Sequence, residues 1–61
     1  MNVNAADLAT LQRLPGVGPA LAARITETRA TKPFATPDDL RRVRSIGAKT
    51  LKTLRPYVCC E

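Results

Sequence analysis

The residues in this chain best placed to do chemistry are backbone amides beside glycine and a few cations, with no histidine among them. Leu14-Pro15-Gly16-Val17-Gly18-Pro19-Ala20 returns 29 positions later as Val43-Arg44-Ser45-Ile46-Gly47-Ala48-Lys49. A turn that ends in glycine and opens a helix is an anion site by construction. The amides of the first helical turn have no acceptor inside the helix, and the helix dipole adds partial positive charge. In the first copy, Gly16 and Gly18 let the backbone turn sharply and approach a phosphate closely. Pro19 has no amide, so the donors there are Gly18, Ala20 and Leu21, with Arg24 as local charge. In the second copy Gly47, Ala48, Lys49 and Thr50 all carry amides; Lys49 puts a cation at the mouth and the Thr50 hydroxyl is a further donor. Arg44 and Lys52 flank this second site. Two such sites in one basic chain point to a phosphate polymer.

The elements that must position these turns repeat in the same register. Leu11 matches Leu40, Leu14 matches Val43, Val17 matches Ile46, Ala22 matches Leu51, Ile25 matches Leu54, and Arg13 matches Arg42. Asn4 is a good N-cap with Asp7 three positions on, and Val3 with Leu8 makes a hydrophobic staple. This predicts a first helix over about Ala5 to Arg13, burying Leu8 and Leu11, with Pro15-Gly16 stopping it. Gly18 at the cap and Pro19 at the first position open a second helix to about Ala30. Its Leu21, Ala22 and Ile25 face inward, while Arg24, Glu27 and Arg29 face water. Residues 31–35 connect the units, with Phe34 plugging the core between them. Thr36, Pro37, Asp38 and Asp39 announce a short third helix from Pro37 to Val43. The fourth opens at Gly47 and shows Leu51, Leu54 and Val58 at helical spacing; Pro56 ends or tightens it, and Tyr57-Val58 folds back on the core. No segment alternates like a strand. The expected fold is all-α, with four to five short helices forming two pseudo-two-fold related units around one small core. Unit 1 spans about 4–30 and unit 2 about 36–58 of a domain at 1–58, with 59–61 as a frayed tail.

Sixty-one residues make one domain with a small core, since a chain this short buries roughly 60% of its unfolded surface. Ten Lys and Arg against five acids give a net charge of +5. From Leu40 to Cys60 there are Arg41, Arg42, Arg44, Lys49, Lys52 and Arg55, and no acid. Charge this dense around the second turn favours nucleic acid as partner. No run of about 18 apolar residues offers a membrane span, so no membrane contact is expected of this segment. Met1-Asn2-Val3-Asn4 leads straight into a capped helix rather than a signal sequence. Cys59 and Cys60 are adjacent and lack a Cys or His to complete a metal site. They read as free thiols, with an intermolecular disulfide as the alternative. Catalysis is not expected: histidine is absent, the cysteines are terminal and the acids sit at helix starts as caps.

A hydrophobic-Gly-hydrophobic-Gly turn between two helices resembles the helix-hairpin-helix motif, and its tandem use resembles the (HhH)2 domain. More closely, the chain is similar to the DNA-binding domains of the competence protein ComEA and its relatives. The residues that carry this are Val3-Asn4-Ala5-Ala6-Asp7-Leu8, Leu14 to Pro19, Pro33-Phe34, Asp39-Leu40 and Leu54-Arg55-Pro56-Tyr57-Val58. The resemblance covers essentially all of the chain except the Cys59-Cys60-Glu61 end. The resemblance implies two hairpins that present amides to phosphates on the two strands flanking a minor groove of double-stranded DNA. It also allows a monovalent cation on the hairpin carbonyls and implies no other cofactor. The departure is Ser45, standing where the family has its first glycine, which calls for a strained backbone angle or a relaxed turn.

Base reading is not expected, because neither hairpin offers a row of Arg, Asn or Gln to aim into a major groove. If about four phosphates are neutralised, log K falls against log salt with a slope of roughly −3 to −4. The competing expectation is a structural or protein-docking module, since related tandem hairpins serve as dimerisation modules and as a photosystem subunit. Such a module has no reason to gather Arg44, Lys49 and Lys52 around a helix start. DNA uptake, repair and other DNA handling remain open on these residues. The compartment is likewise open: extracytoplasmic for an uptake protein whose anchor or signal lies elsewhere, cytoplasmic otherwise.

Overall fold

Ten of the twelve buried residues are the five repeat pairs: Leu11/Leu40, Leu14/Val43, Val17/Ile46, Ala22/Leu51 and Ile25/Leu54. The 29-residue period is therefore the period of the core itself. In a computed structural model describing residues 1–61, the order is α1 (Leu8–Leu11), α2 (Pro19–Thr31), a 3-10 helix (Pro37–Arg42), α3 (Ala48–Leu54) and a 3-10 turn (Arg55–Tyr57). α1 packs on α2 and the 3-10 helix packs on α3, so each unit is one helical hairpin and the two share one core. Each fully buried Leu or Ile contributes about 1.5–3 kcal/mol.

Val3 and Phe34, the two buried residues outside the repeat, close the core from the chain start and from the connector. Asn4 joins them. Its side-chain amide donates to the Phe34 carbonyl at 2.9 Å, and its side-chain oxygen accepts from the Phe34 amide at 2.8 Å. With both ends so engaged, Asn4 does not cap the first helix, and the expected start at Ala5 is corrected. Residues 2–6 form a turn in which the Ala5 and Ala6 amides donate to the Asn2 carbonyl. The cap passes to Asp7, whose Oδ1 accepts from the Thr10 amide at 2.8 Å, and α1 is one short turn. The expected Val3–Leu8 staple is corrected too: Val3 is fully buried, whereas Leu8 is 48% exposed at the surface.

The third element is a 3-10 helix ending at Arg42, not an α-helix reaching Val43, and the Thr36 side chain makes no capping bond. The cap region is instead tied by Asp39, whose Oδ2 accepts from the Ala35 amide at 2.8 Å. Pro56 tightens the end of α3 into the 3-10 turn, as the sequence led one to expect. Val58 packs against the core, while Tyr57 stands out in solvent.

The last three residues do not fray. Asn2 and Cys59 form a parallel bridge, with the Val3 amide donating to the Cys59 carbonyl at 3.0 Å and the Cys59 amide to the Met1 carbonyl at 2.7 Å. The Glu61 amide donates to the Asn2 side-chain oxygen at 3.2 Å, and the Asn4 side chain donates to the Glu61 carbonyl at 3.2 Å. The two chain ends thus pair across the opening of the core. Backbone groups outside the helices find partners there, which is what secures the tail.

Candidate functional site

The two turns are the same object built twice. The Leu14 amide donates to the Leu11 carbonyl at 3.1 Å, and Val43 to Leu40 at 3.0 Å. Val17 donates to Leu14 at 3.1 Å, and Ile46 to Val43 at 3.1 Å. Ala22 donates to Gly18 at 2.9 Å, and Leu51 to Gly47 at 3.0 Å. Gly18 has φ −95° and ψ −174°, Gly47 φ −96° and ψ −173°. Buried side chains at 11/40, 14/43 and 17/46 hold each turn onto the core from below.

The left-handed residue of each turn is Gly16, with φ +78°, and Ser45, with φ +85°. The second turn has therefore not relaxed. Ser45 takes the angle that costs an L-residue about 1–2 kcal/mol, and the repeat frame holds it there. Arg24, from the second turn of α2, donates to Ser45 Oγ and ties the first unit to the second unit's turn.

Gly18 and Gly47 have extended φ angles open to any residue, and a Cβ at either would meet no atom within 4 Å. Neither packing nor backbone strain calls for glycine at these two caps. Its effect is outward: no side chain covers the start of α2 or α3. The amides of Gly18, Ala20 and Leu21, and of Gly47, Ala48, Lys49 and Thr50, have no hydrogen-bond partner within the chain. Gly18, Ala20, Gly47, Ala48 and Lys49 are exposed, and Leu21 and Thr50 are half-buried in both copies.

The cations divide into two groups. Arg29 donates to the carbonyls of Val3, at 2.9 Å, and Ala6, so it fastens the chain start to α2 and does not simply face water. Arg42 donates to the Lys32 and Pro33 carbonyls at 2.8 and 3.2 Å, with its guanidinium 5.0 Å from the centre of the Phe34 ring. Arg55 pairs with Asp38 at 2.5 Å on the exposed surface. With Arg24, these four arginines are engaged inside the chain. Arg13, Lys32, Arg41, Arg44, Lys49 and Lys52 are exposed, and their side chains make no hydrogen bond or ion pair. Of the predicted site cations, Arg44, Lys49 and Lys52 therefore remain free at the second turn, and Arg24 does not. Nothing local in the sequence separates the two groups, because the partners of Arg24 and Arg29 lie more than 20 residues away.

Gly16, Lys49 and Thr50 are brought together around an open cleft of about 420 Å³, which Pro15 and Thr53 complete. Neither Pro15 nor Thr53 was among the site residues that the sequence predicted. Hydrogen bonds from the Thr10 amide, and then its hydroxyl, hold the Asp7 carboxyl below its ordinary value. Burial, followed by the neighbouring Cys59 and Asp39, pushes the Cys60 thiol up. Both cysteines are free thiols, Cys59 exposed and Cys60 half-buried. No group of acids, cysteines or histidines is placed to hold a metal ion, and no helix is long and apolar enough to cross a membrane.

The family model for the helix-hairpin-helix motif matches residues 1–59. No curated protein matches the chain in sequence. The motif is one commonly used to bind DNA.

Proposed function

The chain belongs to the helix-hairpin-helix family, and from that premise we propose that it binds double-stranded DNA without reading its sequence. Each hairpin presents its free first-turn amides to phosphates, one hairpin to each strand flanking a minor groove. The observation that carries this reading is the likeness of the two turns: nearly the same angles and bonds, each with uncovered first-turn amides, 29 residues apart, in a chain of net charge +5. A pseudo-symmetric pair of anion sites matches the two-strand symmetry of a duplex. Arg44, Lys49 and Lys52 add free charge at the second turn, whereas the first relies on its amides, with Arg13 nearby. Lys and Arg contacts to phosphates position a protein without carrying sequence information. We assign the chain no catalytic role; Asp7 serves as a cap, Asp38 pairs with Arg55 and Asp39 takes the Ala35 amide. A role in DNA uptake, as in the ComEA-like proteins it resembles, is the process we favour.

The test is a fluorescence-anisotropy titration with a short random-sequence duplex at several salt concentrations, with Cys59 and Cys60 kept reduced. We expect equal affinity for unrelated sequences and a log–log salt slope of roughly −3 to −4, corresponding to about four phosphates. Lys49→Glu is expected to weaken binding at least tenfold with the fold intact, since Lys49 is exposed and unpaired. Absence of binding at low salt would defeat the proposal. The search would then turn to a protein partner, for which Leu8 and Tyr57 are the exposed large apolar side chains.

A further inference from the structure

The two thiols of the chain sit on ordered backbone. The Cys59 amide donates to the Met1 carbonyl at 2.7 Å and the Cys59 carbonyl accepts from the Val3 amide at 3.0 Å, which fixes residue 59 in its bridge to Asn2. Successive side chains of an extended segment point to opposite faces. Val58, extended at φ −121° and ψ 149°, packs against the core, and so does Cys60. Tyr57 and Cys59 are turned the other way, into solvent, the ring 56% exposed. Burial holds the Cys60 thiol protonated, so the exposed Cys59 is the nucleophile of the pair. A ring between adjacent sulfurs needs both on one side of the backbone, and the bridge holds these two on opposite sides. Cys59 therefore has no disulfide partner within its own chain.

This surface lies at the end of the domain away from the hairpins. α2 starts at the first turn and its 13 residues run about 20 Å, the length of the domain's shortest dimension, 20 Å. Arg29, in its last turn, holds the Val3 carbonyl, and Val3 holds Cys59. The free cations Arg13, Arg44 and Lys49 stand at the turns, whereas Asp39 and Glu61 are the charged neighbours of Cys60. Two copies that meet here keep their cationic faces apart. We propose that Tyr57 and Cys59 form a self-complementary surface that takes a second copy of this chain, closed by a Cys59–Cys59 disulfide. The Cys59 thiolate of one copy attacks a small-molecule disulfide, forming a mixed disulfide and releasing one thiolate. The Cys59 thiolate of the second copy attacks the Cys59 sulfur of the first, and the remaining small thiolate leaves. Two protein thiols are oxidised, one small disulfide is reduced to two thiols, and the protein's thiol protons pass through solvent to them. The product is two-headed, its hairpin pairs facing away from each other, and it bridges two duplexes. That consequence rests on the DNA-binding reading above; the covalent dimer does not.

The experiment treats wild type, Cys59→Ser, Cys60→Ser and Tyr57→Ser with oxidised glutathione at micromolar protein. Mass is followed by non-reducing electrophoresis, and retention of a fluorescent duplex on beads that carry a second, immobilised duplex is measured alongside. Cys59 and Tyr57 are exposed, so their variants should fold as wild type does by circular dichroism. Wild type and Cys60→Ser are expected to double in mass and to retain the second duplex, and a reducing agent should reverse both. Cys59→Ser should stay monomeric and retain none. Tyr57→Ser should form the dimer about three- to tenfold more slowly, the share of a lost aromatic contact. A wild-type protein that stays monomeric overturns the proposal, and so does Cys59→Ser dimerising as wild type does. Tyr57→Ser dimerising at the wild-type rate overturns the shared surface and leaves only an adventitious cross-link. A dimer that holds a single duplex, while the reduced monomer binds DNA, overturns the two-headed arrangement. A reduced monomer that binds no duplex overturns the DNA reading instead, and the electrophoresis still decides the dimer.

Discussion

The two hairpins share one frame and differ in what decorates it. Both turns hang from equivalent buried leucines, valines and isoleucine, and both open a helix from a glycine at nearly identical angles. Yet one carries Gly16 in the left-handed position and a proline at the helix start, while the other carries Ser45 and a row of free cations. The lesson is that the core pairs, not the glycine, impose the left-handed angle, since serine adopts it when the same bonds surround it. Glycine makes the angle cheap; the packing makes it unavoidable. A second lesson concerns charge. The arginine-rich half looks uniformly basic in sequence, but Arg42 and Arg55 are occupied within the fold and Arg41, Arg44, Lys49 and Lys52 are not.

The largest expected effect comes from breaking the shared frame. Leu11→Ala and Leu40→Ala each remove a fully buried side chain at equivalent positions. Each should cost about 2–5 kcal/mol, and the two losses should be similar in urea unfolding if the halves form one core. A protein in which one substitution leaves stability intact would show that the units are energetically separate.

A smaller effect should appear on exchanging the left-handed residues. Ser45→Gly relieves a strain of about 1–2 kcal/mol but adds the unfolded-state freedom of glycine, about 0.5–1 kcal/mol. It also loses the exposed Arg24 contact, so a net gain below about 1 kcal/mol is expected. Gly16→Ser should shift stability the opposite way by about 1 kcal/mol, since a Cβ there meets no atom within 4 Å and only the backbone angle is at stake. Thermal melts of the pair would show opposite signs. Equal signs would mean that the two turns are not governed by the same angle.

The smallest effect concerns the caps, where the first unit's opening helix is capped by Asp7 and the second unit's is tied by Asp39. Asp7 has a lowered pKa in the folded state because it accepts from the Thr10 amide and hydroxyl. Its stabilising contribution is therefore present above the ordinary carboxylate value of 3.8 and is lost as pH falls through the lower folded value. Asp7→Asn should flatten that acid loss while leaving stability near pH 7 slightly reduced, as measured by melts between pH 2 and pH 5. Acid sensitivity unchanged in Asp7→Asn would place the titrating group elsewhere.

The fold was legible in the sequence because a repeat of core positions is a repeat of contacts. The matches from Leu11/Leu40 to Ile25/Leu54 are the buried set, and Phe34 plugs the core from the connector as expected. Gly18 with Pro19, and Gly47, marked the helix starts because a cap and a first-turn proline act through neighbouring backbone only. Asn4, by the same local rules, also looked like a cap. It is not one, because a partner 30 residues away, Phe34, offers it both a donor and an acceptor. Leu8 was placed in the core by helical spacing, which fails where the helix is a single turn.

Local periodicity and backbone chemistry set the two-unit helical frame, its core pairs and the two uncovered helix starts, and all of these can be read along the chain. Which charges are free and which spaces are open was settled by the docking of the two units. Arg24 reaching Ser45, Arg29 reaching Val3, the chain ends pairing at Asn2 and Cys59, and the cleft beside Thr53 are all junctions between segments far apart in the chain. Long side chains choose partners by distance in space, and distance in space is fixed only once the two units have docked.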